Sequence, residues 1–218
     1  MMNRTGQPNP WLSIPAADYE GHMGSPGVGQ LQFLSRVFGE LLAESGPASL
    51  VVLGCATGNG LEHVRPERVR RLVGLDINYE YLEVCRERYA ARIPGLELVC
   101  TDLASFELEP RSMDLVHAAL FLEYVDPAVV VEKASRWLRS LGLFTVVLQR
   151  PSVKSGNVSE TGYTSLKILE PVINLVVPES LAGLAGRYGF LEARSKSVTL
   201  ESGKTFFVGV YRLEASQA

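Results

Sequence analysis

The feature that most narrows the fold is a repeated pattern of short apolar runs, each ending in a loop with a glycine or an acid. Ser49-Leu50-Val51-Val52-Leu53 runs into Gly54, and Leu72-Val73-Gly74-Leu75 runs into Asp76. Leu96 to Cys100, Met113 to Leu120 and Leu143 to Leu148 repeat the theme. Apolar runs without polar alternation read as strands buried on both faces of a parallel sheet. Helical stripes separate several of them. Tyr79 to Arg92 carries Tyr81, Leu82, Cys85 and Tyr89 inward, and Pro127 to Ser140 carries Val130, Ala134, Trp137 and Leu138. Strands that alternate with helices imply βαβ units. The end breaks the rule, because only Glu201-Ser202-Gly203-Lys204 separates the runs Ser195 to Leu200 and Thr205 to Leu213. So short a link makes an antiparallel hairpin and nothing else.

The pattern therefore predicts an α/β chain: a Rossmann-like, doubly wound, mostly parallel seven-stranded sheet with a C-terminal antiparallel hairpin. Its 218 residues suit one domain and bury a core without disulfide or metal. Residues 1–28 form a Pro/Gly-rich arm that also holds Trp11, Ile14, Tyr19 and Met23. Those side chains are too apolar for a free tail, so the arm should dock, as an irregular lid. The domain proper is 29–218. It opens with a helix from about Val28 to Ser45, stopped by Gly46-Pro47, and residues 150–188 are an insertion on the substrate side, with a helix near Pro178 to Tyr188.

Charge and cysteine content exclude several classes. Lys and Arg number 21 against 24 acids, a net charge of −3, so no basic nucleic-acid footprint is visible. The nearest candidate is Arg65, Arg68, Arg70 and Arg71, which also reads as a solvated connector. Three cysteines without a CxxC, and three scattered histidines (His22, His63, His117), predict no metal site. Cys100, in an apolar run, is expected to be a buried thiol. The absence of a leader-like stretch and of any long apolar run predicts a cytoplasmic protein that engages no membrane.

The chemistry sits in the loops. The first strand enters Gly54-Cys55-Ala56-Thr57-Gly58-Asn59-Gly60, and Asp76 ends the next strand 22 positions beyond Gly54. Glycines there allow a sharp turn and close approach of a ligand to the backbone, and a carboxylate on the neighbouring strand can accept both hydroxyls of a ribose. These residues resemble those of class I S-adenosylmethionine-dependent methyltransferases. The resemblance extends to Cys100-Thr101-Asp102-Leu103, to the run from Met113 to Val125, and to the terminal hairpin. It implies S-adenosylmethionine as cofactor. Gly54, Cys55, Ala56 and Gly58 would then line the methionine and ribose portion, Asp76 the ribose hydroxyls, and Ile77 the adenine face. Asp102 and Leu103 would meet the adenine, and Ala118 or Ala119 the donor through the main chain. Two departures stand out: Val52 replaces an acid frequent in the family, and Ala56 a frequent glycine.

Methyl transfer depends chiefly on alignment, helped by a general base where the acceptor is a hydroxyl or amine. The candidate catalytic residues are Tyr19 and His22 on the arm and Glu123 after the fourth strand. The expected partner is a small-molecule acceptor, with the apolar stretch Ile168 to Val177 marking a homodimer interface. Two other readings remain open. Tyr163 and Lys167 have the Tyr-x-x-x-Lys spacing of short-chain dehydrogenases, which would bind NAD(P), although the terminal hairpin argues against their parallel sheet. A nucleoside-binding protein without catalysis would account for Val52.

Overall fold

The computed structural model describes residues 9–151 and 156–215. The first eight residues of the arm, 152–155 of the insertion and 216–218 lie outside the described residues. The helices are α1 (Ala16–Gly24), α2 (Gln30–Ser45), α3 (Tyr79–Tyr89), α4 (Pro127–Trp137) and α5 (Pro178–Arg187). The strands are β1 (Ser49–Leu53), β2 (Arg71–Asp76), β3 (Leu96–Cys100), β4 (Met113–Ala119), β5 (Leu138–Gln149), β6 (Phe190–Thr199) and β7 (Thr205–Leu213). They form one sheet in the order β3-β2-β1-β4-β5-β7-β6. β1 to β5 pair in parallel, and β7 runs antiparallel to both β5 and β6. The expected parallel sheet with its closing hairpin is the one observed.

Strand alternation sorts the core into two layers. Val51, Leu53, Val73 and Val116 face the side covered by α4 and α5, where Trp137, Leu181 and Ala185 are buried. Leu50, Leu72 and Leu115 face the other side, against Phe38 and Leu42 of α2 and Cys85 of α3. At the amino edge one carboxylate fixes the register of β1 on β4. Asp114 Oδ2 accepts from the backbone N–H groups of Ala48 and Ser49, each at 2.9 Å, and Oδ1 accepts from Arg139 at 2.5 Å. At the carboxyl edge the strand order reverses between β1 and β4, the point where open α/β sheets bind ligands.

Several local expectations are corrected. Cys100 is exposed, because β3 is an edge strand and only part of it is covered. Most of the described arm is helical: a 3-10 turn at Pro10–Ser13 leads into α1, with Pro15 at the N-cap. Packing sustains so short a helix despite its glycines. β5 begins at Leu138, directly after α4, and β6 begins at Phe190. Of the proposed interface stretch, Leu169 is buried beneath the arm, while Ile168 and Val177 are about half exposed.

Gly58 answers to packing before any ligand. Its φ is +87°, and a Cβ there would lie 2.8 Å from both the Cys85 sulfur and the Tyr89 ring of α3. Gly58→Ala should therefore lower the unfolding free energy by on the order of 2 kcal/mol. Urea denaturation tests this, and an unchanged midpoint would contradict the packing described.

Candidate functional site

The site is built around Asp76, the last residue of β2. Its Oδ2 accepts from the N–H of Ala56 and its Oδ1 from that of Asn78, both at 2.9 Å. One carboxylate thus ties the glycine loop to the loop entering α3. Burial pushes the Asp76 carboxyl upward, and the backbone N–H groups oppose that shift. Each oxygen keeps a lone pair for a further donor. Ala56 is held at φ 46°, in the left-handed region where glycine is unstrained. Its bond to Asp76 offsets part of that strain.

The arm lies directly on this edge. Tyr19 of α1 stacks on Tyr81 of α3, with ring centroids 5.3 Å apart, and Trp11 sets its edge against Tyr19 and Tyr124. Polar contacts fix the same interface. Glu20 accepts from Thr57 of the glycine loop at 2.5 Å and from Arg88 of α3 at 3.0 Å. The Arg88 hydrogen bond holds the Glu20 carboxyl below its ordinary value. Asn78 caps α3 with its oxygen and donates its amide to the Trp11 carbonyl at 2.9 Å.

A second polar group lies toward β5 and the insertion. Glu123 is 2% exposed; Oε1 accepts from the N–H of Gln149 at 2.8 Å, and Oε2 is buried without a partner. Burial raises its carboxyl to about 7. Gln149 and Lys204 both donate to the Asn157 carbonyl, at 2.9 and 2.7 Å. Burial lowers the Lys204 ammonium to about 8. His22 Nδ1 sits 2.8 Å from Thr161 Oγ1, and burial, aided by the positive charge of Lys204, lowers its imidazole. Tyr81 Oη is also buried without a partner. Among the described residues the Ser202 and Tyr211 hydroxyls are buried without a partner too.

The structure gathers Gly54, Cys55, Ala56, Gly58, Asp76 and Tyr19 at one place. Ile77 is half-buried beside them. Asp102 caps the 3-10 turn Leu103–Ser105 through Ala104, and Leu103 is buried in the core. Ala118 is fully buried, registered with Leu53 on one side and Val146 on the other. The chain leaves the ladder only at Ala119–Leu120. Gly54 lies under the Phe121 ring, which a Cβ would approach to 2.6 Å. Val52 packs with the α2-side core. His22 meets Thr161 of the insertion, while Tyr19 stacks on Tyr81. Tyr163 covers Gly21 of α1, and Lys167 lies in the 3-10 turn Thr164–Leu169. Glu20, Asn78, Arg88 and Lys204 were not expected from sequence, since their contacts join segments far apart along the chain. Among the described residues, no group of three or more metal-ligating side chains could hold an ion, and no helix is long and apolar enough to cross a membrane.

Residues 51–146 match the family model described as a methyltransferase domain. Among solved structures, the N-methyltransferase NodS from Bradyrhizobium japonicum WM9, in complex with S-adenosyl-L-homocysteine, superposes with a TM-score of 0.66 at 14% identity, over 91% of this chain and 96% of that one. An S-adenosylmethionine-dependent methyltransferase from Mesorhizobium loti gives 0.63 at 18% identity, over 84% and 99%. The [4+2]-cyclase SpnF gives 0.67 at 14% identity, over 85% and 82%. No curated protein sequence matches the chain. At these identities the superpositions establish the fold, and the family model covers the strands and loops that build the site from β1 to β5. Residues 51–146 thus carry a match to the methyltransferase domain, and the fold is the one these S-adenosylmethionine-dependent methyltransferases share.

Proposed function

We propose that the protein transfers a methyl group from S-adenosylmethionine to a small-molecule acceptor, with the arm closing the site. The observation that carries the reading is Asp76: an acid at the end of β2, beside a glycine loop at the sheet's reversal point, under an aromatic roof supplied by the arm. The residues present fit the donor. Asp76 has free lone pairs for ribose hydroxyls, half-buried Ile77 offers apolar surface for adenine, and Asp102 follows the end of the adjoining strand. The sulfonium donor, when bound, supplies an activated methyl group. The protein's own contribution is alignment and exclusion of water, the main levers for such a transfer.

On the acceptor side, Glu123 is the best-placed base. Its unpartnered oxygen can receive a proton from a hydroxyl or ammonium, and burial keeps it within reach of neutral pH. His22 and Tyr19 take positioning roles in this reading, because His22 is engaged by Thr161 and Tyr19 by Tyr81. Tyr163 packs against Gly21 of the arm, which gives it a docking role in this reading, and no hydride chemistry is assigned to Tyr163 or Lys167. The reading places the work in the cytoplasm, with no nucleic acid or membrane as partner.

Calorimetry tests the donor. S-adenosyl-L-homocysteine should bind and NAD should not; binding of NAD alone would overturn the reading. Asp76→Asn should weaken the homocysteine product by at least about tenfold, since charge-assisted hydrogen bonds to hydroxyls are lost. Asn is the gentler probe, because its one oxygen still accepts from either the Ala56 or the Asn78 N–H, whereas Asp76→Ala would strand both.

Glu123 generates two pH predictions. Its folded value near 7 exceeds the ordinary 4.5. The folded state therefore holds a proton that the unfolded state releases, and stability should fall as pH rises from about 4.5 through about 7. Glu123→Gln should flatten that dependence, removing a difference of up to about 3 kcal/mol, as thermal unfolding across this range will show. Turnover should run the other way. It should rise as the carboxylate forms above about 7 and lose that limb in Glu123→Gln. A rate profile unchanged in the variant would remove Glu123 from the chemistry.

A further inference from the structure

Opposite the Asp76 edge, between α2 and the turn that leads into β2, lies a cavity of about 610 Å³. Sites that hold small ligands commonly measure about 300–1,000 Å³. Basic side chains stand on both of its walls: Arg36 on α2, and Arg65 and Arg68 on the opposing turn. The turn is helical, with the N–H of Arg68 and that of Val69 both bonded to the Arg65 carbonyl at 2.9 Å, so Arg65 and Arg68 share a side.

The acids nearby are already committed. Glu40, the one acid in the lining, accepts from Lys196 at 2.9 Å. Glu62 accepts from Ser35 and from the Gly60 N–H. Glu67, on the same turn as the arginines, lies outside the lining. The three guanidiniums have neither an ion pair nor a hydrogen bond among the described residues. In a chain of net charge −3, three exposed guanidiniums that line one recess are a local reversal of sign. Leu42 and Val69 give the cavity an apolar part, and Ser35 and His63, held 2.9 Å apart, give it further hydrogen-bonding groups. His63 reaches Ser35 because Gly39 leaves room for its ring, which a Cβ would approach to 2.9 Å.

We infer that this cavity is a second ligand site, distinct from the Asp76 edge, and that it takes a phosphorylated small molecule with more than one phosphate charge. Guanidinium forks match phosphate oxygens in pairs, and the two-walled arrangement suits a multiply charged group held between α2 and the turn. A half-open recess of this volume with an apolar part suits a small molecule better than a polymer backbone. The inference does not rest on methyl transfer, since none of its residues belongs to the Asp76 edge.

Calorimetry on the full chain tests it with inorganic tripolyphosphate, a probe without a nucleoside that could enter the other site. Tripolyphosphate should bind, and saturation with S-adenosyl-L-homocysteine should not abolish the binding. The double variant Arg65→Ala/Arg68→Ala should weaken it by about a hundredfold and Arg36→Ala by about tenfold. These side chains are partly or fully exposed, so the melting temperature should hold. Arg86→Ala, at an exposed pair with Glu83 on α3, should leave the affinity unchanged. No binding at millimolar tripolyphosphate, equal binding by the double variant, or binding of a short single-stranded oligonucleotide in its place would each overturn the proposal.

Discussion

The carboxyl edge of the sheet depends on one buried carboxylate. Asp76 holds the N–H of Ala56 on one side and that of Asn78 on the other, so the loops after β1 and β2 share a single anchor. The consequences spread from there. Ala56 can stay in the left-handed region because its N–H is bound. Asn78, fixed by its own N–H, is free to cap α3 with its side-chain oxygen and to hold the Trp11 carbonyl with its amide. A backbone tie inside the domain thereby decides where the arm attaches.

The arm uses the same logic with side chains. Glu20 joins Thr57 of the glycine loop and Arg88 of α3, while Tyr19 stacks on Tyr81 one turn before Cys85. Exposed ion pairs contribute little alone. Here the pair is only one part of an interface that also buries Ile14, Met23 and the aromatic cluster of Trp11, Tyr19 and Tyr124. The arm thus sits where a bound nucleoside would be shielded from water. Gly54 and Gly58 lie under Phe121, Cys85 and Tyr89, so the glycine loop serves protein packing as well as any ligand.

Elements governed by local patterns were legible in the sequence. The strands β1, β2 and β4 and the β6–β7 link follow from apolar run length and connection length, and the Gly54–Asp76 spacing marked the edge that the structure builds. Elements governed by distant partners were not. The helicity of α1 is hidden by Gly21 and Gly24, since it comes from contact with α2 and with Tyr163 of the insertion. Cys100 looks buried in a one-dimensional reading because edge and central strands carry similar apolar runs. Glu20 and Lys204 give no local signal, as their partners Thr57 and Asn157 are remote in the chain. The basic turn reads as a solvated connector until α2 brings Arg36 opposite it.

The fold alone does not choose the reaction. Solved neighbours of similar TM-score include an N-methyltransferase and a [4+2]-cyclase. What separates such activities must lie in the groups that meet the substrate, and in this chain a connected polar cluster lies where β4 and β5 end beneath the insertion. Glu123, Gln149, Asn157 and Lys204 form one connected polar chain, with His22 and Thr161 beside it. Desolvation moves Glu123 up and Lys204 down, so both drift toward the neutral form near physiological pH. Burial raises Asp76 as well, but its two backbone donors favour the carboxylate and oppose that shift. One sheet edge therefore carries two polar groups, Asp76 held by backbone donors after β2 and the Glu123 chain joined through Gln149 to the insertion.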